Sequence, residues 1–299
     1  MISRFTNWRK QRRGHGISLL VPFHDDPSQP QRAKNWEWLR QYWEAKLPGA
    51  EIIIGRDYVS ETYPSIPFSK ALAVNNAAAR STGDIFVIVD ADGYVPFHAV
   101  LTCAEHIQQA RKAGHKLWYV PYRQFYRLTE KSTACVTSSA PDTPLGFSCP
   151  PPDDVIQNSS GSGHGHWYGA LIQIMPREAF EEVGGWDPRF RGWGGEDHAA
   201  MRATDTLYWP HKTLPGQVLH LWHPMLGPAG AEAWVDWRLR MWGGQSSAGA
   251  NDALSGRYYG AHGDATRMRN LVDEGRRFDW SNEVALKIGQ EYLKNRQSR

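Results

Sequence analysis

No stretch of this 299-residue chain approaches the roughly 20 consecutive apolar residues that a membrane-spanning helix needs. The first residues also lack the apolar centre of a signal peptide, so the expected setting is the cytoplasm. Cysteine is scarce: Cys103, Cys135 and Cys149 are odd in number and far apart. They suit neither a disulfide framework nor a zinc cluster, which points to a reducing compartment. Charge of one sign is not in excess, and a formal net charge of +3 is too small to demand a polyanionic partner. Internal repeats are absent too. The basic residues that exist are crowded at the start, where Arg4, Arg9, Lys10, Arg12 and Arg13 read as a solvated tail over residues 1–14. A phosphate-contacting arm is the alternative.

With 41% hydrophobic and 22% charged residues, the chain is expected to fold as an α/β protein. Residues 17–21 and 85–89 are short apolar runs that read as buried strands, and 51–55, 117–120, 170–175 and 218–221 are further strands. Helical patterns fall at 31–46, 69–80 with Ser69 as N-cap, 98–112 and 177–183. This alternation predicts a mainly parallel central sheet flanked by helices, with ligands at the carboxyl ends of the strands. Residues 128–166 read as a long loop rich in Ser, Thr, Pro and Gly. Beyond residue 229 only helices are expected (231–242, 265–277, 282–294), with a Gly/Ser-rich break at 243–256. The expected organisation is therefore a basic tail (1–14), a main domain (15–228) and a helical C-terminal extension (229–299).

Three places carry chemistry. Asp90 and Asp92 stand two apart where the strand 85–89 ends, and such carboxylates can hold a hard divalent cation that neutralises a diphosphate. An Asp-x-Asp-Gly turn without metal is the plainer alternative. Residues 184–197 (GGWDPRFRGWGGED) combine glycines that free the backbone around Trp193 with an acidic pair, Glu196 and Asp197, opening a helix. His220, in the late strand 218–221, and His223 lie three apart and could add imidazole ligands, which suit Mn2+ better than Mg2+. A fourth stretch, residues 161–168 (GSGHGHWY), places His164 and His166 among glycines and reads as a flexible loop before it reads as a metal site. Fourteen tryptophans fit a chain that uses flat aromatic faces as well as a core.

Residues 68–76 followed by IFVIVDAD resemble the donor half of the glycosyltransferase-A (GT-A) fold, and residues 184–197 resemble its acceptor-side signature. The likeness covers roughly residues 17–225 and is to β1,4-galactosyltransferases, polypeptide N-acetylgalactosaminyltransferases and chondroitin-type polymerases. It implies a Rossmann-like sheet and a Mn2+- or Mg2+-dependent transfer of a Gal, GalNAc or Glc type sugar from a UDP-sugar to a hydroxyl. It implies that Pro22, Phe23, His24, Asp26, Lys70, Asn75, Asp90, Trp193 and Gly194 bind the donor, and that Asp92 binds metal. One more metal ligand is implied at His220 or His223, with His220 preferred. Asp197 is implied as base beside Glu196, with inversion at the anomeric carbon.

Two other classes compete. A sugar-phosphate nucleotidyltransferase would carry a basic Gly-rich loop after the first strand, where this chain has His24, Asp25 and Asp26. A non-catalytic glycan- or nucleic-acid-binding module would not need all of Asp90, Asp92, Glu196 and Asp197. The acceptor stays open: a glycan, a protein side chain, a lipid-linked sugar or a hydroxylated DNA base.

Overall fold

The computed structural model describes residues 14–27, 29–62, 67–141, 155–160, 171–192, 194–224 and 247–279. In chain order the first elements are β1 (Ile17–Pro22), α1 (Pro30–Lys46), β2 (Glu51–Gly55), α2 (Tyr58–Thr62), α3 (Lys70–Arg80) and β3 (Ile85–Val89). Next come β4 (Gly93–Tyr94), α4 (Phe97–Lys112), β5 (Tyr119–Val120), β6 (Gln124–Leu128), α5 (Glu130–Ser138) and β7 (Val155–Ser160). Then follow β8 (Ile172–Pro176), α6 (Arg177–Glu182), α7 (Glu196–Leu207), β9 (Lys212–Thr213), β10 (Gln217–His220), α8 (Ser247–Ala261) and α9 (Ala265–Arg276).

The main sheet has the order β2-β1-β3-β8-β5-β9. Its β2-β1-β3 half is parallel, and β1 and β3 are buried at every position, as strands covered on both faces must be. Helix α3 packs over β1 and β2, and α4 over β8. Each Leu, Ile or Val so buried contributes about 1.5–3 kcal/mol. The α/β class expected from the sequence is present, with a mixed, mainly parallel sheet. The unexpected strand direction is that of β8, antiparallel to both β3 and β5.

A second sheet, in the order β4-β10-β6-β7, was not foreseen. A short link joins it to the first sheet, since β4 begins only four residues after β3 ends. Its pairing sets His220 opposite Gly93, and the Leu221 amide donates to the Asp92 carbonyl at 2.8 Å.

Two expected irregular stretches are corrected. The 128–166 segment contains α5, capped by Thr129 accepting from the Ser132 amide, and the strand β7. Its Ser/Thr content hid a helix whose Ser132, Thr133 and Val136 are buried. The Gly/Ser-rich 243–256 stretch becomes helical from Ser247. There Asn251 is buried with its amide on the Arg191 carbonyl, so tertiary contacts override weak local propensity. Helix α9 matches the pattern read at 265–277. The helices expected at 231–242 and 282–294, the tail up to residue 13, and His164 and His166 lie outside the described residues.

Helices α8 and α9 close a second apolar cluster with α7, built on Phe190, Ala199, Tyr258, Met268 and Leu271. The segment leading into α7 is held from the other side by a fully buried ion pair. Arg191 Nη1 donates to Asp57 Oδ2 at 2.9 Å and to the Pro67 carbonyl at 2.8 Å. Asp57 also accepts from the Ser69 amide, and the Ser69 hydroxyl donates to the Phe190 carbonyl. Arg191→Leu would strand a carboxylate in the interior, a defect that costs about 3–5 kcal/mol. Urea unfolding should show a loss of that size; a loss under about 1 kcal/mol would contradict the role given to the pair.

Candidate active site

Asp92, His220 and His223 come together as a group that could hold a metal ion, with one ligand atom from each all within 4.8 Å of one another. Asp92 sits in the turn between β3 and β4, His220 ends β10, and His223 lies just beyond it. The histidine turn is tied down by residues that carried no sequence signal. Asn35 of α1 donates to the Trp222 carbonyl at 2.9 Å, and the Trp222 amide donates to Thr133 Oγ1 of α5 at 2.7 Å.

The donor set fits a divalent cation. His223 Nδ1 lies 2.9 Å from the Pro224 carbonyl, which can only accept, so Nδ1 carries the proton. In its neutral form the ring then turns the Nε2 lone pair toward Asp92 Oδ2, 3.2 Å away. Two acceptors that close are an arrangement a cation between them satisfies. His220 Nε2 is 3.8 Å from Asp92 Oδ1. Burial drives His220 down to about 4 despite the nearby Asp92 carboxylate, leaving its lone pair available at neutral pH. Burial alone would raise Asp92, yet His220, His223 and Arg32 outweigh it and hold the carboxyl below its ordinary range.

A second cluster is centred on Lys70, at the start of α3. Its Nζ is 2.7 Å from Asp90, 2.6 Å from Asp197 and 4.0 Å from Glu196. Burial works against the charged lysine, but the three carboxylates win and raise its pKa. One ammonium cannot offset three carboxylates packed so closely. Burial, with Asp197 and Asp92 nearby, pushes Asp90 up to about 7 although Lys70 pulls the other way. Burial and then the Asp197 charge push Glu196 up to about 8.

The Glu196 shift has a measurable sign. Its ordinary value is 4.5, so between about pH 4.5 and 8 the folded chain holds a proton that the unfolded chain has released. Its contribution to stability is present at low pH and is lost as pH rises through 8. Glu196→Gln keeps that site neutral throughout. The variant should therefore gain stability relative to wild type between pH 5 and pH 8 in urea titrations. Parallel pH dependences would contradict the assignment.

Other expected donor residues occupy varied positions. Pro22, Phe23, His24 and Asp26 lie where β1 ends, at the same sheet end as Asp90 on the neighbouring β3. Phe23 packs near Trp36, and the exposed His24 ring stacks 5.9 Å from Phe68. Asn75 has both amide atoms on the Trp186 backbone, donating at 2.7 Å and accepting at 2.8 Å. Asn75 thereby braces the 184–186 turn. A Cβ on Gly185 (φ +77) would lie 2.5 Å from the Asn75 oxygen, so only glycine fits this turn. Gly194 is left-handed, as is Gly195, the residue before α7. Trp193 lies outside the described residues.

Sequence reasoning missed two cations near Asp92. Arg32 of α1 brings Nη2 to 3.6 Å from Asp92 Oδ2. Arg127 of β6 stands in register with His220, its guanidinium 5.6 Å from the Phe125 ring. Neither sits in a recognisable motif, and both depend on how α1 and the second sheet fold back.

Residues 156–204 match the family model for the N-terminal domain of galactosyltransferase. The match spans the 184–197 motif and so bears out the glycosyltransferase resemblance read there. No curated protein matches in sequence. Among solved structures, the catalytic domain of Drosophila β1,4-galactosyltransferase 7 in complex with xylobiose is similar, with a TM-score of 0.31 and 13% identity. That likeness covers 68% of this chain and 65% of the Drosophila chain, so this chain spans just under two thirds of it. A mannosyltransferase from Pyrobaculum calidifontis, in complex with GDP-Man and Mn2+, is similar at TM-score 0.42 and 15% identity, over 99% of this chain and 81% of that one. Glucosyl-3-phosphoglycerate synthase from Mycobacterium tuberculosis, in complex with Mg2+ and UDP, is similar at TM-score 0.32 and 12% identity, over 75% and 77%. Among the described residues no helix is long and apolar enough to cross a membrane.

Proposed function

We propose that this chain is a metal-dependent GT-A glycosyltransferase that moves a sugar from a UDP-sugar to an acceptor hydroxyl, with inversion. The observation that carries this reading is the closeness of two charged clusters, with Asp92 and Asp90 affecting one another electrostatically. The Asp92–His220–His223 group stands two residues from Asp90, and Lys70 links Asp90 to Asp197 and Glu196. A site for a diphosphate counter-ion and a set of acidic groups for the acceptor thus meet at one end of the main sheet. The matched family's name favours a galactose-type donor.

Asp92, His220 and His223 would hold the metal, Mn2+ by the two imidazoles, and the ion would supply positive charge against the donor diphosphate. The rest falls to this chain's own groups. Asp90 faces the donor sugar or ribose. Lys70 fixes the directions of Asp90 and Asp197, so neither carboxylate needs to reorganise as charge moves. Asp197 accepts the proton of the attacking hydroxyl. Glu196 keeps its own proton near neutral pH, and its Oε2 is buried with no hydrogen-bond partner among the described residues. A neutral carboxyl there donates to an acceptor oxygen and orients it.

A panel of nucleotide sugars incubated with the protein and Mn2+, scored for released nucleotide, tests the reading. Release from a UDP-sugar is the expected result. Release from no member of the panel, with or without candidate acceptors, would overturn it.

A further inference from the structure

Left to its own torsions, the start of α7 is loosely held. Gly192, Gly194 and Gly195 all stand at left-handed φ (+70°, +101° and +92°) just before Glu196, and glycine resists few other conformations. The direction in which α7 presents Glu196 and Asp197 is therefore set by what grips the chain from outside. On one side the grip is α3. The Ser69 hydroxyl donates to the Phe190 carbonyl at 2.8 Å, and the next residue, Lys70, lies 2.6 Å from Asp197. On the other side it is α8, where Asn251, Ser255 and Tyr258 are spaced i, i+4, i+7 and form one stripe. Asn251 Nδ2 donates to the Arg191 carbonyl at 2.9 Å, and its Oδ1 accepts from the Arg191 amide at 3.4 Å. The Tyr258 hydroxyl donates to Asp187 Oδ2 at 2.9 Å. A Cβ on Gly195 would lie 3.0 Å from Ser255 Cβ, so the backbone runs against the helix immediately before Glu196. Packing alone does not call for this stripe. An apolar side chain at position 251 would serve the cluster around Phe190 without burying an amide. What a buried amide engaged at both atoms adds is direction.

We infer that Asn251 and Tyr258 are positioning residues for the transfer, an inference that rests on the transferase reading above. They hold Arg191 and Asp187 in place, and with them the start of α7, so that the Asp197 carboxylate stays in line with the attacking hydroxyl. They act through Asp197 and make α8 a part of the catalytic unit. A reacting group displaced by about 1 Å can lose roughly a hundredfold in rate, so a grip at this distance from the chemistry matters. The Asp92 group is built on other elements, and nucleotide and metal binding should not follow the grip.

A double-mutant cycle in the full chain tests the inference. Nucleotide release, from the panel member that wild type cleaves fastest, is compared in wild type, Asn251→Ala, Asp197→Asn and the double variant. Asn251→Ala should lower kcat about tenfold to a hundredfold, with donor KM and Mn2+ affinity within about twofold of wild type. In the Asp197→Asn background the same substitution should cost less than about threefold, because no base is left to misplace. Assays run well below the Tm of the least stable variant separate the two roles, since a merely structural residue would lower Tm and leave kcat alone. If Asn251→Ala fails to fold, Tyr258→Phe decides. It keeps the ring, removes only the hydroxyl, and should cost kcat roughly threefold to tenfold with the same dependence on Asp197. Wild-type kcat in the folded variant would overturn the inference alone. So would a loss equally large with and without the Asp197 carboxylate. If wild type releases nucleotide from no member of the panel, the transferase reading falls first and takes this one with it.

Discussion

Replacing Asp92 by alanine is expected to bring donor turnover below roughly a thousandth of wild type, beyond the loss from removing one transition-state hydrogen-bond donor. Asp92 is the single carboxylate in the group with His220 and His223, and it is the one held ionised most firmly. Without it two imidazoles remain, and Arg32 loses its partner and faces any incoming cation. Metal affinity and metal-assisted nucleotide binding should therefore fail together. The fold should survive, because the contact from Asp92 to the Leu221 amide is made by the backbone carbonyl. Steady-state turnover and Mn2+ titration check both halves. Turnover above a tenth of wild type in a folded Asp92→Ala protein would contradict the assignment.

Asp197→Asn should lower turnover by about 10²–10⁴-fold, the usual contribution of a general base. The amide keeps the shape of the carboxylate but cannot take a proton from the acceptor. Lys70 retains Asp90 as its partner at 2.7 Å, so the cluster has no reason to collapse. Nucleotide and Mn2+ affinities should stay within a few-fold of wild type, because the Asp92 group is untouched. The expected pattern is thus a fall in kcat with little change in donor KM. Near-normal turnover, or a product whose anomeric configuration matches the donor, would overturn Asp197 as the base of an inverting reaction.

The parts of this site that were legible in the sequence are those fixed by short-range rules. The runs at β1 and β3 announce themselves because strands buried on both faces are continuously apolar. Ser69 is readable as a cap because its side chain serves the Leu72 amide three residues on. Asp92, His220 and His223 were nominated by residue type and resemblance, and the second sheet brings them together. The direction of β8 was not legible, since a fully buried strand reads the same whichever way it runs. Asn75 was assigned a ligand contact from its place in a motif. Its amide meets the Trp186 backbone 111 residues away, a contact no local pattern encodes. Arg32 and Arg127 were missed for the same reason. Helix α8 was hidden by glycines and serines whose low propensity is overcome by packing on α7 and by Asn251 on Arg191.

The central claim is that one divalent ion, held by Asp92, His220 and His223, makes a sugar nucleotide reactive in this protein. Released nucleotide measured against free Mn2+ concentration, from excess chelator upward, tests it most directly. The account predicts no turnover in chelator, saturable recovery with Mn2+, and no recovery in Asp92→Ala at any concentration. Full turnover in excess chelator would contradict it.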